Sequence, residues 1–285
     1  MQRTNISWAD FTSNPIRARN VATGKAGHFC VKTSPGCAHC YASEWNEKRY
    51  GTGLAYLPVN RDKVELYLNE GEIDAILKHR GLGRVFLCDM TDLFADFVPD
   101  EWLYRLFLTM DHSPNLTFQL LTKRPERMRE WITGVQGKGW PLPNVWLGVS
   151  VENQRMADER IEQLLRTPAA VHFVSCEPLL SSISFTRIDG LQGPYCDWLR
   201  GEVREINCGE EGVYARFKHL DWVIAGGESG LNRRPMDIAW LEGIVQQCQR
   251  ARVPVFVKQA SALRPGQQGE IPNDLWQLKQ FPVAR

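Results

Sequence analysis

The chain has 285 residues, of which 43% are hydrophobic and 24% charged, with a formal net charge of +1. These values exclude a disordered, collagen-like or coiled-coil chain and give no global attraction to nucleic acid or a membrane surface. No apolar run reaches the roughly 18–20 residues that a membrane span requires. The opening MQRTNISWADF lacks the basic-then-apolar layout of a secretory signal, so a cytoplasmic protein is expected.

In chain order, residues 1–83 hold a cysteine-rich loop and a mixed segment ending in a predicted helix over 70–79. Within the first forty residues, Arg3, Arg17, Arg19, Lys25 and Lys32 face only Asp10. Beyond this segment, short apolar, β-branched runs alternate with amphipathic stretches. The runs are 84–88, 117–121, 145–149, 171–175, 222–225 and 253–257. Continuous runs of this length suit parallel strands buried on both faces. The amphipathic stretches are 99–110, 153–165 and 238–251; the first places Trp102, Leu103, Leu106, Phe107 and Met110 at helical spacing. Residues 181–219, which include Cys196 and Cys208, break the rhythm as an insertion, either a lid or a solvent-facing decoration. Strand–helix alternation predicts βαβ units, a parallel sheet and one α/β domain over 1–285.

Each run ends in polar residues: Asp89, Thr91 and Asp92; Lys123 and Arg124; Ser150 and Glu152; Glu177; Glu228; and Lys258. Ligands of parallel α/β folds sit at the carboxyl ends of strands. Six successive polar ends favour a partial or full (β/α) TIM-like barrel, with these side chains around one mouth, over an open doubly wound sheet. The competing reading is capping of the following helices, and for Lys258 an ion pair with Glu177 or Glu228.

Eight cysteines in a cytoplasmic chain argue against a disulfide framework. Three of them, Cys30, Cys37 and Cys40, fall within eleven residues, and Pro35 and Gly36 supply the turn between the first two. Such thiolates suit one metal centre. A zinc site would need a fourth ligand, His28 or His39, whereas a 4Fe–4S cluster with three thiolates leaves one iron open for a ligand. The loop precedes the first buried strands, where it can hang over the mouth, which favours the cluster.

ISWADFTSNP, HFCVKTSPGCAHCYA, CDMTDLFADFVPDEW, LTKRPERM, WLGVSVEN, FVSCEPLL, WVIAGGESG and VFVKQ together resemble a phage- and prophage-associated three-cysteine-motif family of unknown function, related to radical S-adenosylmethionine enzymes. The resemblance covers about residues 6–260. It implies a (β/α) barrel with a 4Fe–4S cluster on Cys30, Cys37 and Cys40, S-adenosylmethionine as cofactor, an electron donor, and hydrogen abstraction by a 5′-deoxyadenosyl radical. The spacing here departs from the usual x3 then x2, and Gly226-Gly227-Glu228 follows a late strand instead of the second. Asp89, Thr91 and Asp92 are therefore expected at the cofactor's amino group, with Ser150, Glu152, Glu177 and Glu228 as further cofactor contacts. Lys123, Arg124, Arg233, Arg234 and Lys258 are the expected anion-binding set for a nucleotide, nucleic acid or other anionic substrate.

No phosphate loop, dinucleotide fingerprint, nucleophile elbow or zinc-protease helix occurs. Two functional classes compete. One is a radical enzyme; the other is a non-catalytic protein clipped by zinc or iron–sulfur that works beside a phage-encoded partner or DNA. A hydrolytic nuclease using Asp89, Asp92 and Glu177 leaves the cysteines unexplained. Among the aromatic residues near the basic N-terminal segment, Trp8, Phe11, Tyr41, Trp45 and Tyr50, core packing is expected over base stacking.

Overall fold

Alternating apolar runs and amphipathic stretches fold as a mixed α/β protein whose main sheet has eight mostly parallel strands. The computed structural model describes residues 1–135, 140–188, 195–207 and 210–283. The chain divides into two compact units, Met1–Trp146 and Leu147–Arg285.

The first unit begins with β1 (Gln2–Arg3), β2 (Phe11–Ser13), β3 (Ile16–Asn20) and β4 (Ala26–Gly27). Helix α1 (Tyr41–Lys48), β5 (Val64–Leu68), α2 (Glu70–Leu77), β6 (Gly83–Leu87), α3 (Asp100–Asp111), β7 (Leu116–Thr122) and α4 (Pro125–Gly134) follow. β1 pairs antiparallel with β2, while β2, β6 and β7 run parallel, Phe11 opposite Val85 and Val85 opposite Phe118. β4, β3 and β5 make a separate antiparallel sheet, with Ala18 opposite Leu66. Phe29 packs on Ala18 and Val64 in the core of that sheet, so the chain enters the cysteine loop from a fixed anchor. α3 buries Leu103, Leu106, Phe107 and Met110 of the predicted face, while Trp102 is only partly buried. Fully burying each such side chain contributes about 1.5–3 kcal/mol.

β8 (Val145–Ser150) leads into α5 (Gln154–Leu165) and β9 (Val171–Cys176) of the second unit. Every residue of β8 and β9 is buried, as continuous apolar runs require. Asn153 caps α5 by accepting the Met156 N–H at 3.0 Å. A Cβ on Gly148 would lie 2.4 Å from the Phe173 ring, so only glycine fits there. The insertion folds as an antiparallel sheet in the order β10 (Thr186–Ile188), β11 (Tyr195–Asp197), β12 (Glu202–Asn207) and β13 (Glu210–Arg216). It contains Cys196; Cys208 lies outside the described residues. β14 (Trp222–Ala225), α6 (Ile238–Ala251), β15 (Val255–Val257) and α7 (Asn273–Trp276) complete the unit. β9, β14 and β15 run parallel, with Phe173 opposite Trp222 and Ile224 opposite Phe256. β15 is shorter than the predicted run because Pro254 has no N–H to give a ladder. Among the described residues no helix is long and apolar enough to cross a membrane.

Candidate functional site

The cysteine loop begins where Phe29 leaves the core and ends at α1. One 3-10 turn, Pro35–Cys37, bends it, with the Cys37 N–H donating to the Ser34 carbonyl at 2.9 Å. Lys32 spans the loop, its Nζ donating to the Ala38 carbonyl at 3.0 Å. Asn46, almost fully buried on α1, holds the base of the loop. Its Oδ1 accepts the N–H groups of His28 at 2.8 Å and Thr52 at 3.2 Å. Its Nδ2 donates to Thr52 Oγ1 at 2.7 Å and to the Leu54 carbonyl at 2.8 Å.

This loop docks on the carboxyl ends of β6 and β7. Arg124 Nη2 donates to the Val31 carbonyl at 3.1 Å, and its Nη1 pairs with Asp92 at 2.9 Å. Asp92 also accepts the Thr122 hydroxyl at 2.7 Å and the N–H groups of Lys123 and Phe94, each at 3.0 Å. Its carboxylate is thus engaged in knitting the β7–α4 turn. The Cys30 thiol lies against Asp92 and Arg124; burial, reinforced by Asp92, pushes it up to about 11. Burial also opposes ionisation of Cys37, yet the Lys123 ammonium and the Thr33 and Ser34 amides hold that thiol below its usual value. His39 is exposed at the rim.

Asp89 follows Cys88, which takes the left-handed conformation at φ 62°. The Asp89 carboxylate accepts Asn14 Nδ2 at 2.6 Å and the Tyr41 hydroxyl at 3.0 Å, and burial raises its pKa. The Tyr56 hydroxyl donates to the Met90 carbonyl at 2.8 Å. Thr91 is buried, and its hydroxyl has no hydrogen-bond partner. The first unit therefore brings Cys30, Cys37, Cys40, Asp89, Thr91, Asp92, Lys123 and Arg124 to the same strand ends. It adds Asn14, Tyr41 and Tyr56, which strand-end reasoning missed. Asn14 stands directly after β2, the same signal that marked the other positions, but β2 is only three residues long.

The second unit has its own group. Glu152 is fully buried and pairs with Arg160 at 3.1 Å, while Arg160 donates to the Ser150 carbonyl at 2.7 Å. Lys258 and Glu177 form an ion pair at 2.8 Å, the alternative expected for this lysine. Ser175 donates to Glu177 at 3.2 Å. Arg234 grips Glu228 with Nη2 at 2.7 Å, Nε at 3.0 Å and its backbone N–H at 2.8 Å. Arg233 Nη1 donates to the Gly230 carbonyl at 3.1 Å. Lys258 and Arg234, expected to bind substrate, are thus matched with Glu177 and Glu228, expected to bind cofactor. Arg160, on the buried face of α5, was not foreseen; its signal was a charge at a core position of the helical repeat.

Among the described residues, no three His, Cys, Asp or Glu side chains are drawn together as a metal-holding set. The fit to a cluster rests on donor chemistry: three thiols on one loop, and an unpartnered buried hydroxyl at Thr91 just after β6. A family model matches residues 3–274, and its description reads "Protein of unknown function (DUF5131)". No curated protein and no solved structure matches the chain.

Proposed function

The chain therefore belongs to this family, and we propose that it is an iron–sulfur enzyme of the radical S-adenosylmethionine type, built on a partial or full (β/α) barrel. It acts on a nucleotide, nucleic acid or other anionic substrate in the cytoplasm. The observation that carries this reading is the docking of a three-cysteine loop on strand ends that present Asp89, Thr91, Lys123 and Arg124. A structural clip would need no such lining.

Cys30, Cys37 and Cys40 would hold the 4Fe–4S cluster as thiolates. The chemistry that such a cluster and S-adenosylmethionine supply together is one-electron reductive cleavage of a carbon–sulfur bond. Asp89, oriented by Asn14 and Tyr41, accepts hydrogen bonds from an ammonium group. The Thr91 hydroxyl is available to the same ligand, and Asp92 acts indirectly by fixing Arg124. Lys123 and Arg124 bind carboxylate or phosphate oxygens. Tyr56, buried beside Met90, helps to exclude water. In the second unit, Glu152, Glu177 and Glu228 are held by Arg160, Lys258 and Arg234, so no ligand contact is assigned to them. Turnover requires an external electron donor, and a phage-encoded partner protein is part of the proposal.

Anaerobic purification followed by iron, sulfide and zinc analysis tests the reading. The expected result is about four irons and four sulfides per chain, with absorption near about 400 nm and 5′-deoxyadenosine formed under reduction. Cys37→Ala should abolish the iron, and Cys196→Ala should leave it unchanged. About one zinc and no visible absorption would overturn the proposal in favour of a structural clip.

A further inference from the structure

Helix α1 has two unlike faces. Ala42, Ser43 and Asn46 are buried, while Tyr41, Trp45 and Arg49 form a stripe four residues apart on the opposite side. Tyr41 is 50% exposed and Trp45 46%, and Tyr50, just past the helix, is 83% exposed. Exposed apolar rings gathered in one patch mark an interaction surface.

The rings are held in place. Arg49 and Tyr50 both donate their N–H groups to the Trp45 carbonyl, at 3.0 and 3.2 Å, which folds Tyr50 back toward Trp45. The Trp45 and Tyr50 ring centroids are 5.8 Å apart, and the Arg49 guanidinium lies 5.5 Å above the Trp45 ring. Gly51 secures the turn: a Cβ there would lie 2.4 Å from Asn46 Oδ1. The Tyr41 ring is pinned by its hydroxyl bond to Asp89. Residues 1–50 hold seven Lys or Arg against three Asp or Glu, and on α1 itself Lys48 is paired with Glu44, so Arg49 is the cation set on the rings.

We propose that Tyr41, Trp45, Arg49 and Tyr50 form a stacking platform for the unpaired bases of a single-stranded nucleic acid, presented beside the cysteine loop. Exposed π-faces next to cations match the two demands of such a strand, base stacking and phosphate neutralisation. Tilted, separated rings accept bases that are free to splay and exclude a base-paired duplex, whose π-faces are covered. The proposal names the substrate class for the site described above and rests on that reading only for what happens to the bound strand.

Binding by the full chain is measured by fluorescence anisotropy with labelled oligo-dT and oligo-U of about 15 nucleotides, at fixed low salt. The wild-type protein should bind single strands more tightly than a duplex of equal length. Trp45→Ala combined with Tyr50→Ala should weaken binding about 10- to 100-fold, since each stacked base contributes about 1–3 kcal/mol. Trp45→Phe should retain most of it. Both variants lie on the surface, and an unchanged circular dichroism melt confirms that they fold. Equal binding by wild type and the double variant, equal preference for duplex, or no binding at about 100 µM protein would overturn the platform. Iron analysis of the same samples separates the two ideas. Intact binding without iron sinks the cluster alone; iron present with binding indifferent to Trp45 and Tyr50 sinks the platform alone.

Discussion

Asn46 spends all of its hydrogen-bonding capacity on joining three segments: the chain entering the cysteine loop, α1, and residues 51–54 just beyond it. Asn46→Ala would orphan the His28 and Thr52 N–H groups in a buried setting. We expect a loss of about 2–4 kcal/mol, because unmade buried hydrogen bonds cost their full desolvation. Urea unfolding would read it, and a change below about 0.5 kcal/mol would show that the loop is anchored elsewhere. Asp221 is a second residue with a measurable signature. Burial opposes its ionisation, but the His172 ring and backbone N–H hold its carboxyl below the usual 3.8. A carboxyl depressed on folding stabilises fully above its unfolded pKa, and that contribution is lost as pH falls through the folded value. Asp221→Asn should therefore be less stable near neutral pH and lose less stability on acidification, with the two unfolding curves converging at low pH. Parallel curves would contradict it. Asp92 shows where sequence stopped being informative at this scale. Its place after a strand marked it as a ligand contact, but its partners Thr122, Lys123 and Arg124 stand some thirty residues away, and only the parallel pairing of β6 and β7 brings them together.

At the scale of elements, α6 ends at Arg252 in the left-handed conformation, φ 59°, with its N–H donating to the Cys248 and Gln249 carbonyls. A left-handed residue with a Cβ costs roughly 1–2 kcal/mol, offset in part by the greater freedom that glycine has when unfolded. Arg252→Gly is exposed and should stabilise the protein by about 0.5–1 kcal/mol, raising its melting temperature by about 1–3 °C. A lower melting temperature would mean that the Arg252 side chain holds contacts of its own. Boundaries of this kind were readable when composition was one-sided. β14 and α6 coincide with the predicted ranges because Trp222–Ala225 is wholly apolar and Asp237 caps α6 with an acceptor for the Ala239 N–H. α4 lies outside the predicted amphipathic stretches despite Pro125 at its first position and Met128, Trp131 and Ile132 at helical spacing, because Glu126, Arg127, Arg129 and Glu130 dilute its apolar period. α1 was hidden for a different reason: its buried face is small and polar, so no apolar period announces it. The insertion gave no strand signal because its strands hold no continuous apolar run: Glu202, Arg204 and Glu205 interrupt β12, and Glu210, Glu211 and Gly212 open β13.

Across the whole molecule, alternation of element types was legible from the sequence and supports the α/β class, since doubly buried strands leave continuous apolar runs. The polar strand ends were legible as positions and opaque as partnerships. In the first unit they accompany the cysteine loop, a buried carboxyl raised by burial and an unpartnered hydroxyl. In the second unit, Glu152, Glu177 and Glu228 each have a cation alongside. Opposite charges a few ångströms apart cancel one another's field within a few times their separation. That group is therefore electrically quiet at a distance. It neither gathers anions from solution nor repels them, and whatever settles there is selected after arrival, by shape and by the direction of its hydrogen bonds.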